Sequence, residues 1–172
     1  MKKGLVVFDV DGVIYKDIFL KKIVRSKGPR KFLKILMLGI SFYLNKISID
    51  KLLTDGYRLA GDFKVEDVRN IAKKIKRFSN INETIKILHK EGYYVSLISS
   101  GIPNFILKSL AGEIGADSYS GLNIKIKEGK IKAGKIRTIS KVKIVEHPLK
   151  ELNLSWEAVI SIGDDPNNID LL

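Results

Sequence analysis

The stretch FDVDGV, residues 8–13, decides how the rest of the chain is interpreted. It closes a near-continuous apolar run over residues 4–10, which is typical of a strand buried on both faces of a parallel sheet. Asp9 and Asp11 interrupt that run, and Gly12 follows them. A carboxylate among apolar residues is costly unless it is paired or bound to a metal. The end of this strand therefore predicts a polar site.

The composition narrows the chemistry that such a site can perform. The chain has 172 residues, which suits one domain with a small insertion, and 45% of them are apolar, as in ordinary globular proteins. It contains no cysteine and two histidines. Disulfides, cysteine-ligated metals and a thiol nucleophile are therefore excluded, and a multi-histidine zinc site is disfavoured. Carboxylates and hydroxyls remain.

The net charge of +12 is compatible with nucleic acid, an anionic lipid or an anionic small substrate. The lysines are spread along the whole chain and interleaved with isoleucine, so we interpret them mainly as a solvated surface. No basic segment rich in aromatic residues is present, and no nucleic-acid partner is expected.

Two stretches of the sequence bear on targeting and membrane insertion. The apolar run behind the basic start is broken by acids, so no signal peptide is predicted and we expect a cytoplasmic protein. The segment FLKILMLGISFYL, residues 32–44, is too short to span a bilayer and contains Lys34, so no transmembrane segment is expected. We predict a buried helix or the lining of an apolar cavity, with an interfacial helix as the alternative because basic residues flank it.

Strand and helix patterns alternate along the chain. Buried strands are predicted over residues 4–10, 93–101 and 158–165, a hairpin over 121–135, and helices over 17–78, about 80–88, 103–110 and 138–152. Such alternation predicts an α/β fold with a parallel sheet, in which ligands bind at the carboxyl ends of the strands. Polar residues stand at all three ends: Asp9, Asp11, Ser99, Ser100, Asp164 and Asp165.

Oxygen donors grouped in this way suit a hard cation, most readily Mg²⁺, which keeps water and substrate phosphate in its coordination shell. A phosphate ester is then the natural substrate. Ser99 and the amides around Gly101 offer donors to phosphoryl oxygens, and an aspartate carboxylate can act as the nucleophile.

Three of these segments together resemble the haloacid dehalogenase (HAD) superfamily of phosphohydrolases. FDVDGV is similar to its first motif, LISSG to its second and SIGDD to its fourth, and their order is closest to the phosphoserine phosphatase-like subgroup, subclass IB. The resemblance implies a Rossmann-like α/β core, with a parallel sheet flanked by helices, and a small α-helical cap inserted after the first strand. The implied division is a core of residues 1–15 and 80–172 and a cap of residues 16–79.

The resemblance also implies roles for the acids. Asp9 would attack phosphorus and bind Mg²⁺. Asp11 would protonate the leaving group and then activate water, with its backbone carbonyl facing the metal. Asp164 would be the further metal ligand, with Asp165 near it.

The residues implied to bind the substrate phosphate are Ser99, Ser100 and Lys141. The family's third motif is a lone lysine ahead of the last strand. The spacing back from SIGDD in the subgroup leads to Lys141, with Lys143 and Lys135 as the alternatives.

The sequence departs from the subgroup at several positions. Asn168 stands where a further acid is usual, and Asp165 could substitute for it. Ile18 stands near the position of the glutamate that holds the serine amine, where Asp17 is the only nearby acid, and Arg58 is only a rough equivalent of the cap arginine. The family fold also continues past the fourth motif, so we expect either a fragment or a minimal version. An open sheet edge would leave homo-oligomerisation as an option.

The predicted function is therefore Mg²⁺-dependent hydrolysis of a phosphomonoester through an aspartyl phosphate. The expected partner is a phosphorylated small molecule, and the apolar segment of residues 32–44 favours one with an apolar or lipid-like part over phosphoserine. Two alternatives remain open, a phosphotransferase on the same fold and a weakly active domain that binds a phosphorylated ligand.

Overall fold

A computed structural model describes residues 2–132 and 134–164. The strands, in chain order, are β1 (Gly4–Phe8), β2 (Phe63–Lys64), β3 (Tyr93–Pro103), β4 (Ser118–Leu122), β5 (Lys125–Lys127), β6 (Lys130–Lys132) and β7 (Val159–Ile162). The helices are α1 (Phe19–Arg25), α2 (Pro29–Tyr43), α3 (Ile49–Ala60), α4 (Val65–Lys73), α5 (Ile81–Lys90), α6 (Asn104–Ile114) and α7 (Lys141–Leu152), and a short 3₁₀ turn (Trp156–Ala158) precedes β7.

The central sheet has four parallel strands in the order β4-β3-β1-β7. Val6 of β1 lies opposite Val95 of β3 on one side and Ile160 of β7 on the other. All five residues of β1 are buried, as the apolar run predicts for a strand covered on both faces. The prediction of an α/β fold with a parallel sheet flanked by helices is confirmed.

Successive residues of β1 enter two different hydrophobic layers. Val6 and Phe8 belong to the larger core, which contains residues of α1, α3, α4, α5 and α6. Leu5 and Val7 belong to a smaller core with Val145 of α7. Side chains alternate between the faces of a strand, so β1 is held between two layers of helices and its carboxyl end is set firmly in place.

Strand β4 has no counterpart in the sequence-based prediction. Its sequence, SYSGL, contains two serines and a glycine, and only Leu122 is buried. A short polar segment carries no strand periodicity, and pairing with β3, from Ser96 to Ile98 and again at Pro103, is what makes it extended. The Gly121 amide also donates to the Asn104 side chain at 2.7 Å, which fixes β4 against α6.

The predicted hairpin is confirmed by the antiparallel pair β5–β6. Its two turn residues, Glu128 and Gly129, have φ of 51° and 69°, the left-handed values that a tight two-residue hairpin turn needs. The hairpin also pairs with β2, where Phe63 lies opposite Ile131. A strand between the helices of residues 16–79 was not predicted. In this small sheet, β2 comes from the predicted cap segment, whereas β5 and β6 come from the predicted core segment. The division into core and cap therefore stays a prediction.

Helix α2 differs most from its predicted environment. A buried helix was predicted, but Ile35 is the one fully buried residue between Pro29 and Tyr43. The helix packs on α1 and α3 through one side and turns the other to solvent. Among the described residues, no helix is long and apolar enough to cross a membrane.

Candidate active site

The carboxyl ends of β1, β3 and β7 meet around Asp9 and Asp11. The Asp9 amide donates to the carbonyl of Ile162, the last residue of β7, at 2.8 Å. On the other side, a β-carbon placed on Gly101 of β3 would lie 4.0 Å from Asp11 Oδ2. The structure therefore brings together the three strand ends that the sequence marked as polar.

Asp9 forms an ion pair with Lys141, whose Nζ lies 2.7 Å from Asp9 Oδ2. The two side chains are only 11% and 12% exposed, so water screens their attraction little. Asp9 Oδ1 accepts a hydrogen bond from the Val10 amide at 2.7 Å. Lys143 and Lys135, the alternatives to Lys141 as the lysine of the third motif, are exposed. Of the three lysines, the structure brings Lys141 to Asp9.

Helix α3 fixes the segment that leads to Lys141. Thr54 Oγ1 accepts from the Ile136 amide at 3.0 Å, and Asp50 Oδ1 accepts from both the amide and the hydroxyl of Thr138, at 2.9 and 2.7 Å. Lys141 is the first residue of α7 and follows this anchored segment directly. Its ammonium group is thus held at the strand ends by an element that is remote in sequence.

Asp11 lies in a half-buried position and accepts a hydrogen bond from the Phe19 amide, the first of α1, through Oδ1 at 2.9 Å. Burial is the main reason that the pKa of Asp11 rises from 3.8 to about 7. The Phe19 hydrogen bond lowers the pKa, the negative charges of Asp9 and Asp164 raise it further, and Lys141 lowers it. At neutral pH this carboxyl is poised to give and take a proton.

Gly12 lets the chain turn sharply after the two acids. Its φ is +77°, which side chains other than that of glycine rarely allow, and its amide donates to the Tyr15 carbonyl at 2.9 Å. A β-carbon at this position would overlap the Asp164 carboxylate. Asp164 itself is exposed and belongs to the segment after β7. Asp165 and Asn168 lie outside the described residues.

The Ser99 side chain is buried at 4% exposure, at the end of β3. Its Oγ accepts from the amides of Gly101 and Ile102 at 3.3 and 3.2 Å. Those amides, predicted as donors to phosphate, therefore bind the serine oxygen here. A hydroxyl that accepts two hydrogen bonds still has its own hydrogen to donate. Ser100, next in the chain, is half-buried.

Two residues of α3 border the site and were not predicted as site residues. Tyr57 Oη donates to the Gly101 carbonyl at 2.7 Å, and Leu53 Cδ2 would touch a β-carbon on Gly101 at 3.4 Å. Burial raises the pKa of the Tyr57 hydroxyl well above its usual value, and the charge of Asp11 adds to the increase. The helical spacing of these residues marked them in the sequence as apolar-face residues. Nothing local tied them to the strand ends.

The acids of the site provide only oxygen donors, which suits Mg²⁺. Over residues 2–132 and 134–164, no three acidic, cysteine or histidine side chains are clustered as a metal-binding group. Asp9, Asp11 and Asp164 are near enough for their charges to raise the pKa of Asp11. A cation that takes one or two carboxylates and fills its shell with water and phosphate fits such a set.

This fold and this grouping of acids, serine and lysine define a class of hydrolases. The family model of haloacid dehalogenase-like hydrolases matches residues 4–172, and the chain belongs to this family. Phosphatases of the family generally use a divalent metal, typically Mg²⁺.

Two similar proteins are phosphoserine phosphatases. The chain is 25% identical to the phosphoserine phosphatase of Methanocaldococcus jannaschii, over 99% of this chain and 81% of the relative. It is 26% identical to the phosphoserine phosphatase of Archaeoglobus fulgidus, over 97% of this chain and 49% of the relative. The chain is therefore a phosphatase of the phosphoserine phosphatase-like kind.

Solved structures agree on the fold. A phospho-aspartyl intermediate analogue of phosphoserine phosphatase matches with a TM-score of 0.87 at 23% identity, over 99% of this chain and 82% of that one. A HAD family hydrolase from Salmonella enterica serovar Typhi matches with a TM-score of 0.90 at 15% identity, over 99% of this chain and 59% of that one.

Proposed function

We propose that this phosphatase hydrolyses a phosphomonoester in a Mg²⁺-dependent reaction through an aspartyl phosphate on Asp9. The observation that carries the proposal is the shielded ion pair between Asp9 and Lys141, at 2.7 Å, beside the carboxyl of Asp11. A nucleophile, a fixed cation and a proton donor then surround one position where a phosphoryl group can bind.

In the first step, an oxygen of Asp9 forms a bond to phosphorus while the bond from phosphorus to the leaving oxygen breaks. The proton on Asp11 passes to that oxygen, so the product leaves as a neutral alcohol. With a pKa of about 7, about half of the Asp11 carboxyl groups hold this proton at neutral pH, unlike an ordinary aspartate. Lys141 balances the negative charge on the phosphoryl oxygens, and Ser99 donates its remaining hydrogen to one of them.

In the second step, water attacks the phosphorus of the aspartyl phosphate. Asp11, now ionised, takes a proton from that water, and the bond between phosphorus and Asp9 breaks. The products are inorganic phosphate and the original carboxylate. Leu53 and Tyr57, which border the site from α3, limit the access of other water molecules.

Asp9, Asp164 and the backbone carbonyl of Asp11 would hold the Mg²⁺ ion. When bound, it supplies positive charge to the phosphoryl oxygens and lets several carboxylates remain ionised side by side. Ser100 is assigned with Ser99 to the phosphate-binding segment, in keeping with its place at the end of β3.

The substrate that we propose is a phosphomonoester other than phosphoserine. The apolar part expected from residues 32–44 stays a prediction, because the exposed side chains of that segment lie on an outer surface away from the site. Ile18 is 54% exposed, and Asp17 is engaged by Lys22 at 2.6 Å. Arg58 lies 3.6 Å from Asp55, and both side chains line a groove between α2 and α3. These residues therefore do not provide the charged contacts that an amine and a carboxylate would need.

The central experiment is p-nitrophenyl phosphate hydrolysis with Mg²⁺ or with EDTA, using the wild type, Asp9→Asn and Asp62→Asn. Asp62 is an acid at the surface, paired with Lys132, and serves as the matched control. We expect metal-dependent turnover in the wild type and in Asp62→Asn, and none in Asp9→Asn. After an acid quench, mass spectrometry should find a phosphoryl group on Asp9. Activity that survives in Asp9→Asn would refute the assignment of the nucleophile.

The alternatives give different results in the same assay. A phosphotransferase would transfer the phosphoryl group to an added alcohol faster than to water. A binding domain would retain a phosphorylated ligand without turnover. A panel of phosphoserine, sugar phosphates and lipid phosphates tests the substrate class, and the highest kcat/KM for phosphoserine would contradict the proposal of another phosphomonoester.

A further inference from the structure

Six apolar side chains form one exposed face of α2 and its last turn. We call this set the outer face of α2: Leu33, Leu36, Met37, Ile40, Tyr43 and Leu44. Their exposures run from 36% for Leu36 to 82% for Tyr43. The spacing follows the helical repeat, and at 100° per residue the six fall within an arc of about 120°. They therefore form a continuous stripe.

The fold does not use this stripe. The other side of the helix holds the buried Ile35, with Phe32 and Leu38 packed against the core. A helix that is apolar on every side normally lies inside a protein or against another apolar phase. One of its two apolar sides faces solvent here.

A groove between α2 and α3 extends the stripe. It has a volume of about 480 Å³ and is lined by apolar side chains that include Met37, Leu38 and Leu59, with Lys34 and Arg58 also on its wall. It is separate from the active site, since Tyr57 and Leu53 lie on the side of α3 that faces Gly101.

The charged side chains beside the stripe on α2 are all basic, and the one acid on the groove wall, Asp55 of α3, is paired with Lys51 and Arg58. Between Ile18 and Ile49 the chain has eight lysines and arginines and no acid. Arg30 and Lys34 are exposed beside the stripe on the helix, and Lys46 is exposed just beyond its end. An apolar helix face with a basic border is the pattern of helices that lie in the interface of an anionic bilayer.

We propose that the outer face of α2 binds to the surface of an anionic lipid bilayer. A helix of 15 residues is about 22 Å long, so it would lie in the plane of the membrane with its apolar side chains among the acyl chains. Arg30, Lys34 and Lys46 would contact the anionic headgroups. A second copy of this chain fits less well, because its net charge is also +12 and a symmetric pairing would bring the same basic borders together.

The first test is sedimentation with vesicles of phosphatidylcholine alone or mixed with phosphatidylglycerol. We expect binding to the mixed vesicles that weakens as the ionic strength rises from about 0.1 M to about 1 M, since the Debye length shortens from about 10 to about 3 Å. Each cation near an anionic surface contributes about fivefold in affinity. Arg30→Gln with Lys34→Gln should therefore lower binding about 25-fold.

The apolar contribution is tested with Leu33→Ser, Met37→Ser and Ile40→Ser combined. Each of these side chains is 60% exposed, so the fold should retain its thermal stability while vesicle binding falls at least tenfold. The matched control is Ile87→Ser with Ile126→Ser, whose side chains are 53% and 47% exposed elsewhere on the surface. That control should bind like the wild type.

The absence of cysteine allows a single fluorescent label to be attached at a chosen position. A polarity-sensitive dye on Met37→Cys should shift to the blue on mixed vesicles, whereas the same dye on Ile87→Cys should not. Equal binding to both vesicle types, no binding to either, or the same losses in the control variant would each overturn the proposal. A blue shift that depends on protein concentration without vesicles, together with a doubled mass, would assign the face to self-association instead.

Discussion

The protonation of Asp11 can be tested through folding stability. Its pKa is raised, mainly by burial, from 3.8 to about 7. Between these two pH values, Asp11 holds a proton in the folded protein and releases it in the unfolded chain. The contribution of Asp11 to the unfolding free energy therefore falls as the pH rises through this range, and it is lowest above pH 7. Roughly three pH units correspond to at most about 4 kcal/mol of unfolding free energy. Asp11→Asn removes this dependence and keeps an acceptor for the Phe19 amide.

The assay is urea unfolding of the wild type and Asp11→Asn at a series of pH values in EDTA. The difference between their unfolding free energies cancels the contributions of carboxyl groups that do not interact with Asp11. We expect this difference to favour the variant increasingly from pH 4 to pH 7, by up to about 4 kcal/mol, and then to level off. Added Mg²⁺ should move the rise to lower pH, because a nearby dication favours the ionised carboxylate.

Asp17→Asn is the control with the opposite sign. Partial burial pushes the pKa of Asp17 upward, but the hydrogen bond and charge of Lys22 outweigh burial and lower it. The stability that Asp17 contributes is therefore present above its unfolded pKa and lost as the pH falls, so Asn at this position should become relatively less favourable as the pH rises. A flat difference curve for Asp11→Asn between pH 4 and pH 7 would refute the raised pKa.

Two further substitutions test the geometry of the site. Lys141→Met should lower the unfolding free energy by about 3 kcal/mol, because it removes the cation that pairs with the shielded Asp9 carboxylate, and it should abolish p-nitrophenyl phosphate turnover. The control is Lys143→Met, at an exposed position, which should change the unfolding free energy by less than about 0.5 kcal/mol in the same urea titration. Gly12→Ala should cost more stability than Gly129→Ala, since both have positive φ but only the first would overlap the Asp164 carboxylate. Equal losses at the two glycines would argue against that contact.

The sequence and the structure agree where the signal is local. An apolar run predicted β1, and alternation around Glu128-Gly129 predicted the hairpin. Polar strand ends predicted one shared site, and Asp9, Asp11 and Asp164 lie near enough for their charges to interact. Each of these follows from a periodicity of a few residues or from the fixed direction of parallel strands. The family resemblance rests on the same short segments and is confirmed.

Where several residues of one type compete, residue chemistry alone does not choose among them. The motif spacing led to Lys141 ahead of Lys143 and Lys135, and the anchoring of residues 136–138 by α3 is the physical reason that Lys141 reaches Asp9. The role of Tyr57 beside Gly101 depends on the same long-range packing. These are contacts over tens of residues, which no local pattern records.

The environment of an element is likewise a tertiary property. The sequence determined that α2 is an apolar helix, but apolar residues on every side could not indicate which side the fold would bury. Packing against α1 and α3 covers one side only, and β4 becomes a strand only because β3 offers it backbone partners. The sequence by itself determined β1, β3, β7 and the hairpin, the acids at the strand ends and the class of chemistry. The tertiary structure decided how Lys141 is held against Asp9, how far burial raises the pKa of Asp11, and which apolar surface remains exposed, because each depends on desolvation and contacts between segments far apart in the chain.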